Sequence, residues 1–177
     1  MVAELVYAYA SGAYEATHVG STPTMPTMKI IVLLTALLLI FCFFVFFELN
    51  AEVTINHCVF QAETAILPKE LEKGLSQRDS LEQNQGMLFL FPSLRKPAFW
   101  MKGMNFPLDI LWLKGDAIVE INENVPLFTQ GNVTTIIPHQ EINKVLELKP
   151  GTASECEIKP GDKATFRYYF ELNKETP

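Results

Sequence analysis

The run Ile30–Phe47 constrains this chain more than any other feature: in 18 residues only Thr35 interrupts the apolar letters. Coiled as an α-helix it reaches about 27 Å, close to the roughly 30 Å hydrocarbon core of a bilayer. No charge stands between Lys29 and Glu48, and Phe41, Phe43, Phe44, Phe46 and Phe47 crowd its end. A helix that is apolar on every face has no side to offer water. The run therefore reads as a membrane anchor. A cleaved signal peptide is the rival reading, because Met28-Lys29 supplies a short basic start. Such segments usually carry only about 7–15 apolar residues, and bulky Leu49 sits three residues before the best cleavage point, after Ala51. Phe41 before Cys42 is too large for lipid attachment, so Cys42 is expected to stay a thiol in lipid.

Lys29 is the only Lys or Arg ahead of the run. It favours an inside N-terminus and a chain that continues outside the cytoplasm. The expected location is the cell membrane, single-pass, with the C-terminal domain extracytoplasmic, or secreted and periplasmic if the segment is cleaved. Residues 1–28 lack basic residues and amphipathic periodicity; they read as a disordered tail or a mis-called start, with Met25 and Met28 as alternative starts. Residues 29–47 are the anchor, 48–56 a linker and the start of the first strand, 57–171 the folded domain and 172–177 a tail.

Hydrophobic letters make up 49% of the chain; without the run the figure is roughly 44%, ordinary for a globular domain. Residues 48–177 hold 13 basic and 18 acidic residues, net −5, without long charge runs. That balance argues against a nucleic-acid surface, which needs clustered positive charge. Period-two alternation marks strands at Thr54–Thr64 and Ala164–Glu171, and Met87–Phe91, Ala98–Lys102, Asp109–Lys114, Ala117–Asn122 and Lys144–Lys149 also read as strands. Lys114-Gly115-Asp116 is a hairpin signal. Pro68–Ser76 reads as a short helix, with Leu67, Leu71 and Leu75 on one face, and Thr152–Cys156 as a helical turn. Residues 125–142 read as a long loop. The fold class is α+β, mainly β: a small curled sheet or open barrel of about six to eight short strands with one short helix, preceded by a single transmembrane helix.

Glu63-Thr64-Ala65, Glu70, Gly74-Leu75, Arg78 and Ser80-Leu81 are followed by Gly86-Met87-Leu88-Phe89-Leu90-Phe91. Then come Phe99-Trp100-Met101-Lys102, Pro107-Leu108-Asp109-Ile110, Pro126, Val145-Leu146-Glu147-Leu148, Gly151 and Gly161-Asp162. This ordered set, over roughly residues 57–166, resembles domain-of-unknown-function family 192 of bacteria and archaea. The sequence departs from it at Leu67 and Leu71, where Thr and Arg are usual, and at Gly103-Met104, where Asn-Thr is common. The resemblance implies a fold and a placement behind a signal or anchor segment; the family has no established activity.

The candidate polar cluster is Glu63, Arg78, Trp100, Lys102 and Asp109. If Ala98–Lys102 paired antiparallel with Asp109–Lys114, then Trp100, Lys102, Asp109 and Leu111 would share one face. That face would offer an aromatic platform beside an ion pair, either a ligand pocket or a structural sheet end. Arg78 either clamps an anionic ligand or fastens the helix to the sheet through Asp109 or Glu63. Metal chemistry is not indicated: His18, His57 and His139 lack ligand spacing, and His139 is expected in solvent. Glu120 and Glu123 read as a solvated hairpin edge. No cofactor motif is present. Cys58 and Cys156 are either a disulfide, which an oxidising compartment would preserve, or two buried thiols.

Two functions remain. One is an extracytoplasmic binding or accessory module of the cell envelope, held to the lipid bilayer by residues 30–47. It would recognise a small ligand or an envelope protein, with the 125–142 loop as an adaptable surface or merely a lid. The other is a hydrolase-like enzyme using Asp109 as general base and Lys102 as charge stabiliser. The first ranks above the second, because the sequence supplies no catalytic spacing.

Overall fold

A computed structural model describes residues 25–127 and 135–172. The expectations for residues 1–24, 128–134 and 173–177 lie outside the described residues. The chain divides into two compact units, Met1–Cys42 and Phe43–Pro177.

Helix α1 spans Met25–Phe46. Apolar side chains stand exposed along it, among them Leu33, Leu34, Leu38 and Phe41. Thr35, the one polar letter between residues 30 and 46, returns its hydroxyl to the Val32 carbonyl at 2.9 Å. The part of α1 whose side chains are described, residues 28–43, is shorter than the roughly 20 residues a span needs. Accordingly, no helix among the described residues is long and apolar enough to cross a membrane.

The folded domain is built on nine strands: β1 (Phe47–Ile55), β2 (Cys58–Ala65), β3 (Gln85–Arg95), β4 (Phe99–Trp100), β5 (Leu108–Lys114), β6 (Ala117–Val125), β7 (Thr135–Ile136), β8 (Ile142–Leu148) and β9 (Ala164–Leu172). Helix α2 (Pro68–Lys73) joins β2 to β3, and α3 (Thr152–Glu155) follows β8. Seven strands form one sheet in the order β6-β5-β8-β3-β2-β1-β9; β4 and β7 pair separately. The β2–β3 pair alone among the described ladders is parallel, which its α2 crossover permits.

The large sheet is open, not a closed barrel, with β6 and β9 at its edges. It curls enough for an antiparallel bridge between Ala117 and Lys163, where Ile118 N–H donates to the Asp162 carbonyl at 2.9 Å. Residues 48–56, read as a linker and the start of the first strand, instead hold most of the full strand β1, Phe47–Ile55. The single strand read over Thr54–Thr64 is interrupted by a two-residue turn at Asn56-His57, with Asn56 at φ 53°. Asn tolerates that left-handed conformation. Its side-chain amide also bonds the Cys156 and Glu157 carbonyls, which holds the turn. The Lys114–Ala117 hairpin has the expected two-residue loop, Gly115 at φ 63°.

Strand alternation sends side chains to two apolar layers. Leu88, Leu111, Leu113, Leu146 and Leu148 enter one layer, with Val53, Phe60 and Ile158. Met87, Phe89, Ile110, Trp112 and Val145 enter the other, with Leu75 from beyond α2. Gly86 lets the central strands approach closely. A Cβ there would lie 2.8 Å from the Glu147 carbonyl oxygen and 2.9 Å from Leu148 Cδ2.

Candidate functional site

The five sequence-derived candidates separate into three places. Arg78 and Glu63 form a two-pronged ion pair, with Arg78 Nη1 donating to Glu63 Oε1 at 2.6 Å and Nη2 to Oε2. The pair ties the segment after α2 to β2, and both side chains are half-exposed.

Asp109 is elsewhere, on β5, and is fully buried. Its Oδ1 accepts the Asn124 N–H and its Oδ2 the Ala153 N–H, each at 2.8 Å. Both oxygens are thus committed to backbone donors, one at the end of β6 and one in the first turn of α3. Wholly buried and holding two backbone donors, this carboxylate is not open to a substrate. The general-base role for Asp109 is corrected to that of a clamp. The expected pairing that put it beside Trp100 and Lys102 does not form: β4 pairs with β7, while β5 pairs with β6 and β8. The four-residue face fails because a non-local partner took the strand.

Trp100 and Lys102 do share a site. They line a cavity of about 390 Å³ between α2, β4 and the second apolar layer. Its buried wall is Leu75, Phe89, Met101 and Leu108. Phe99 packs edge-on to both Phe89 and Trp112, and thereby sets the aromatic lining. Trp100 is 50% exposed and stands at the opening. The cations Lys73, Arg95 and Lys102 are exposed at the rim beside a single rim carboxylate, Glu72.

One further residue lines this cavity, and sequence reasoning missed it. Glu147 on β8 is only 6% exposed. No side chain or backbone donor among the described residues is bonded to its carboxyl. Burial pushes that carboxyl up to about 8, from an ordinary 4.5. It is therefore mainly a neutral acid at neutral pH, able both to donate and to accept a hydrogen bond. The signal was present in Val145-Leu146-Glu147-Leu148, a charged letter inside a strand otherwise buried on both faces. Buried polar groups are ordinarily hydrogen-bonded, so an unpartnered one facing a cavity is a candidate contact.

Cys58 and Cys156 are joined as a disulfide, with Cα atoms 6.0 Å apart. Glu70 reaches back to the Ile66 and Leu67 N–H groups, both at 2.9 Å, which supplies the cap that the Leu67 side chain lacks. His139 is exposed as expected, but Glu120 is not idle: it accepts the His139 backbone N–H at 2.8 Å. Among the described residues no three His, Cys, Asp or Glu side chains converge as metal ligands.

A family model for domain-of-unknown-function family 192, described as uncharacterized ACR, matches residues 51–166. No curated protein matches the chain. Two crystal structures are similar to it. One is a protein provisionally described as a transcription regulator from Sinorhizobium meliloti 1021, 28% identical, with a TM-score of 0.62, covering 68% of this chain and 95% of that one. The other is a protein of unknown function from Novosphingobium aromaticivorans DSM 12444, 32% identical, with a TM-score of 0.59, covering 66% of this chain and 83% of that one.

Proposed function

From the premise that the chain belongs to domain-of-unknown-function family 192, a family of unknown function, we propose that it is a membrane-tethered, extracytoplasmic binding module for a small ligand. The binding half rests on one observation. The cavity between α2 and β4 keeps a buried, unpartnered carboxyl, Glu147, beneath a half-exposed Trp100. The sealed polar atoms without a partner among the described residues are Asn50 Oδ1 and Thr152 Oγ1, so the Glu147 oxygens are reached from the cavity and open to a ligand. No hydrolytic role is assigned, since Asp109 is fully engaged.

The anchor half is supported by the helix itself. As a helix the apolar run 30–47 would extend about 27 Å, close to the roughly 30 Å core of a bilayer. The Thr35 hydroxyl inside that run is satisfied by the Val32 carbonyl, as lipid requires. The first strand begins at Phe47 directly after the helix. The β1–β9 register sets Phe47 opposite Leu172 and Leu49 opposite Phe170, with Phe170 and Leu172 exposed. Lys29 favours an inside N-terminus, and the Cys58–Cys156 bridge suits an oxidising compartment outside the cytosol. Nucleic acid is not the proposed partner, given the net charge of −6.

Cell fractionation tests the anchor. The full-length chain is expected in the membrane pellet, resistant to carbonate and released by detergent; recovery of the intact chain from cytosol without detergent overturns it. For the cavity, Trp100→Ala is expected to weaken binding of any ligand found at least tenfold while leaving thermal unfolding unchanged.

A further inference from the structure

We propose, building on the binding reading, that the cavity takes a small amphipathic organic acid: its anionic group at the rim, a flat apolar body inside, and a hydroxyl or carbonyl at the inner end against Glu147. Three features of the cavity specify those three parts.

The rim carries Lys73, Arg95 and Lys102 against Glu72 alone. In a chain of net charge −6 this is a local excess of positive charge. Such an excess raises the local concentration of anions and repels amines. Lys102 has no hydrogen-bond partner among the described residues, so it can turn to a ligand. Arg95 lies over the Phe91 ring with its guanidinium carbon 5.5 Å from the ring centre, which holds a cation at the opening.

The interior is aromatic and apolar: Phe89, Phe99 and Trp100, with Met101 and Leu75. Flat bodies stack on such rings at small entropic cost. A cavity of about 390 Å³ falls within the range for small-molecule sites, roughly 300–1,000 Å³.

Glu147 decides the inner end. A purely hydrocarbon tail would bury its carboxyl against carbon and leave it unpaired. An ammonium would have to pass three cations and then meet a carboxyl that burial keeps protonated at neutral pH, at about 8. A hydroxyl or carbonyl meets a neutral acid that both donates and accepts. The acid is therefore polar at both ends and apolar between.

Isothermal titration calorimetry on the full-length chain in lipid nanodiscs tests this with three probes: para-hydroxyphenylpropionate, phenylpropionate and tyramine. Para-hydroxyphenylpropionate is expected to bind about tenfold more tightly than phenylpropionate, which lacks the inner hydroxyl, and about tenfold more tightly than tyramine, which reverses the charge. Glu147→Leu is expected to erase the first preference, whereas Glu147→Gln, which can still donate and accept, retains most of it. Arg95→Gln with Lys102→Gln is expected to erase the second. A preference for tyramine, or equal binding of all three, overturns the organic acid; if Trp100→Ala still weakens every probe, the cavity stands as the site. Binding of none overturns the acid and removes support from the cavity itself.

Discussion

The large sheet buries one carboxyl on each face, and the two have opposite surroundings. Asp109 is fully enclosed, and both its oxygens accept backbone N–H groups at 2.8 Å. Glu147 is nearly as buried, yet its carboxyl faces a cavity and no donor among the described residues. On the Asp109 side the Cys58–Cys156 bridge holds the segment that α3 begins. One face is stapled shut while the other is left open. The difference separates a group that holds the fold from one that strains it, and burial alone would not have told them apart.

The largest effect should come from the stapled face. Cys58→Ser with Cys156→Ser opens a link between residues 98 apart, and the chain-entropy model gives a loss of about 4–5 kcal/mol. Denaturant unfolding in non-reducing buffer measures it; a loss under 1 kcal/mol would mean the bridge staples nothing.

Close behind, and opposite in sign, is Glu147→Gln. Folding raises this carboxyl from 4.5 to about 8, so the folded state holds a proton that the unfolded state has released between those pH values. Stability therefore falls as pH rises from about 4.5 to about 8, by ~1.4 kcal/mol per unit, and levels off above. Glu147→Gln removes that slope. It should stabilise the chain by about 4 kcal/mol at pH 8 and change little at pH 4. Thermal melts across the pH series check this, and a flat wild-type profile would contradict it. Asp109→Asn should act in the other direction at every pH. An amide offers only one acceptor to the two N–H groups, and the loss is about 3 kcal/mol. If Asp109→Asn proves neutral, the contrast between the two carboxyls collapses.

Much of the framework was legible in the letters because it is local. Period-two alternation marks β9, the runs Met87–Phe91, Asp109–Lys114 and Ala117–Asn122 read as β3, β5 and β6, and Gly115-Asp116 marks the hairpin between the last two. What escaped was non-local. β4 looks as though it should fold back on β5, since only the short connection 101–107 joins them, but it finds β7 instead. Asn56-His57 carries neither Gly nor Pro, so the letters run the end of β1 into β2, and the rest of β1 passes for a linker. Asp109 stands out in the letters as a general base or an ion-pair partner, yet its partners are backbone donors from β6 and α3, which no side-chain pattern announces. Glu147 was quoted inside a strand motif and passed over. Its significance lies in the missing partner, and that is a property of the packed cavity.

The smallest effect should come from the pair that the sequence already placed at one site. Arg78 reaches Glu63 through both guanidinium nitrogens, a geometry that favours Arg over Lys. Their half-exposure lets water screen the charges, and exposed pairs are worth about 0.2–1 kcal/mol. Neither residue lines the cavity. Arg78→Lys should therefore cost under about 1 kcal/mol in denaturant unfolding and leave the affinity for para-hydroxyphenylpropionate within twofold. A larger loss of stability would make the pair a second staple, this one on β2. A tenfold loss of affinity at unchanged stability would move Arg78 to the ligand side of the comparison, and the anion-holding role given to Lys73, Arg95 and Lys102 would pass in part to it.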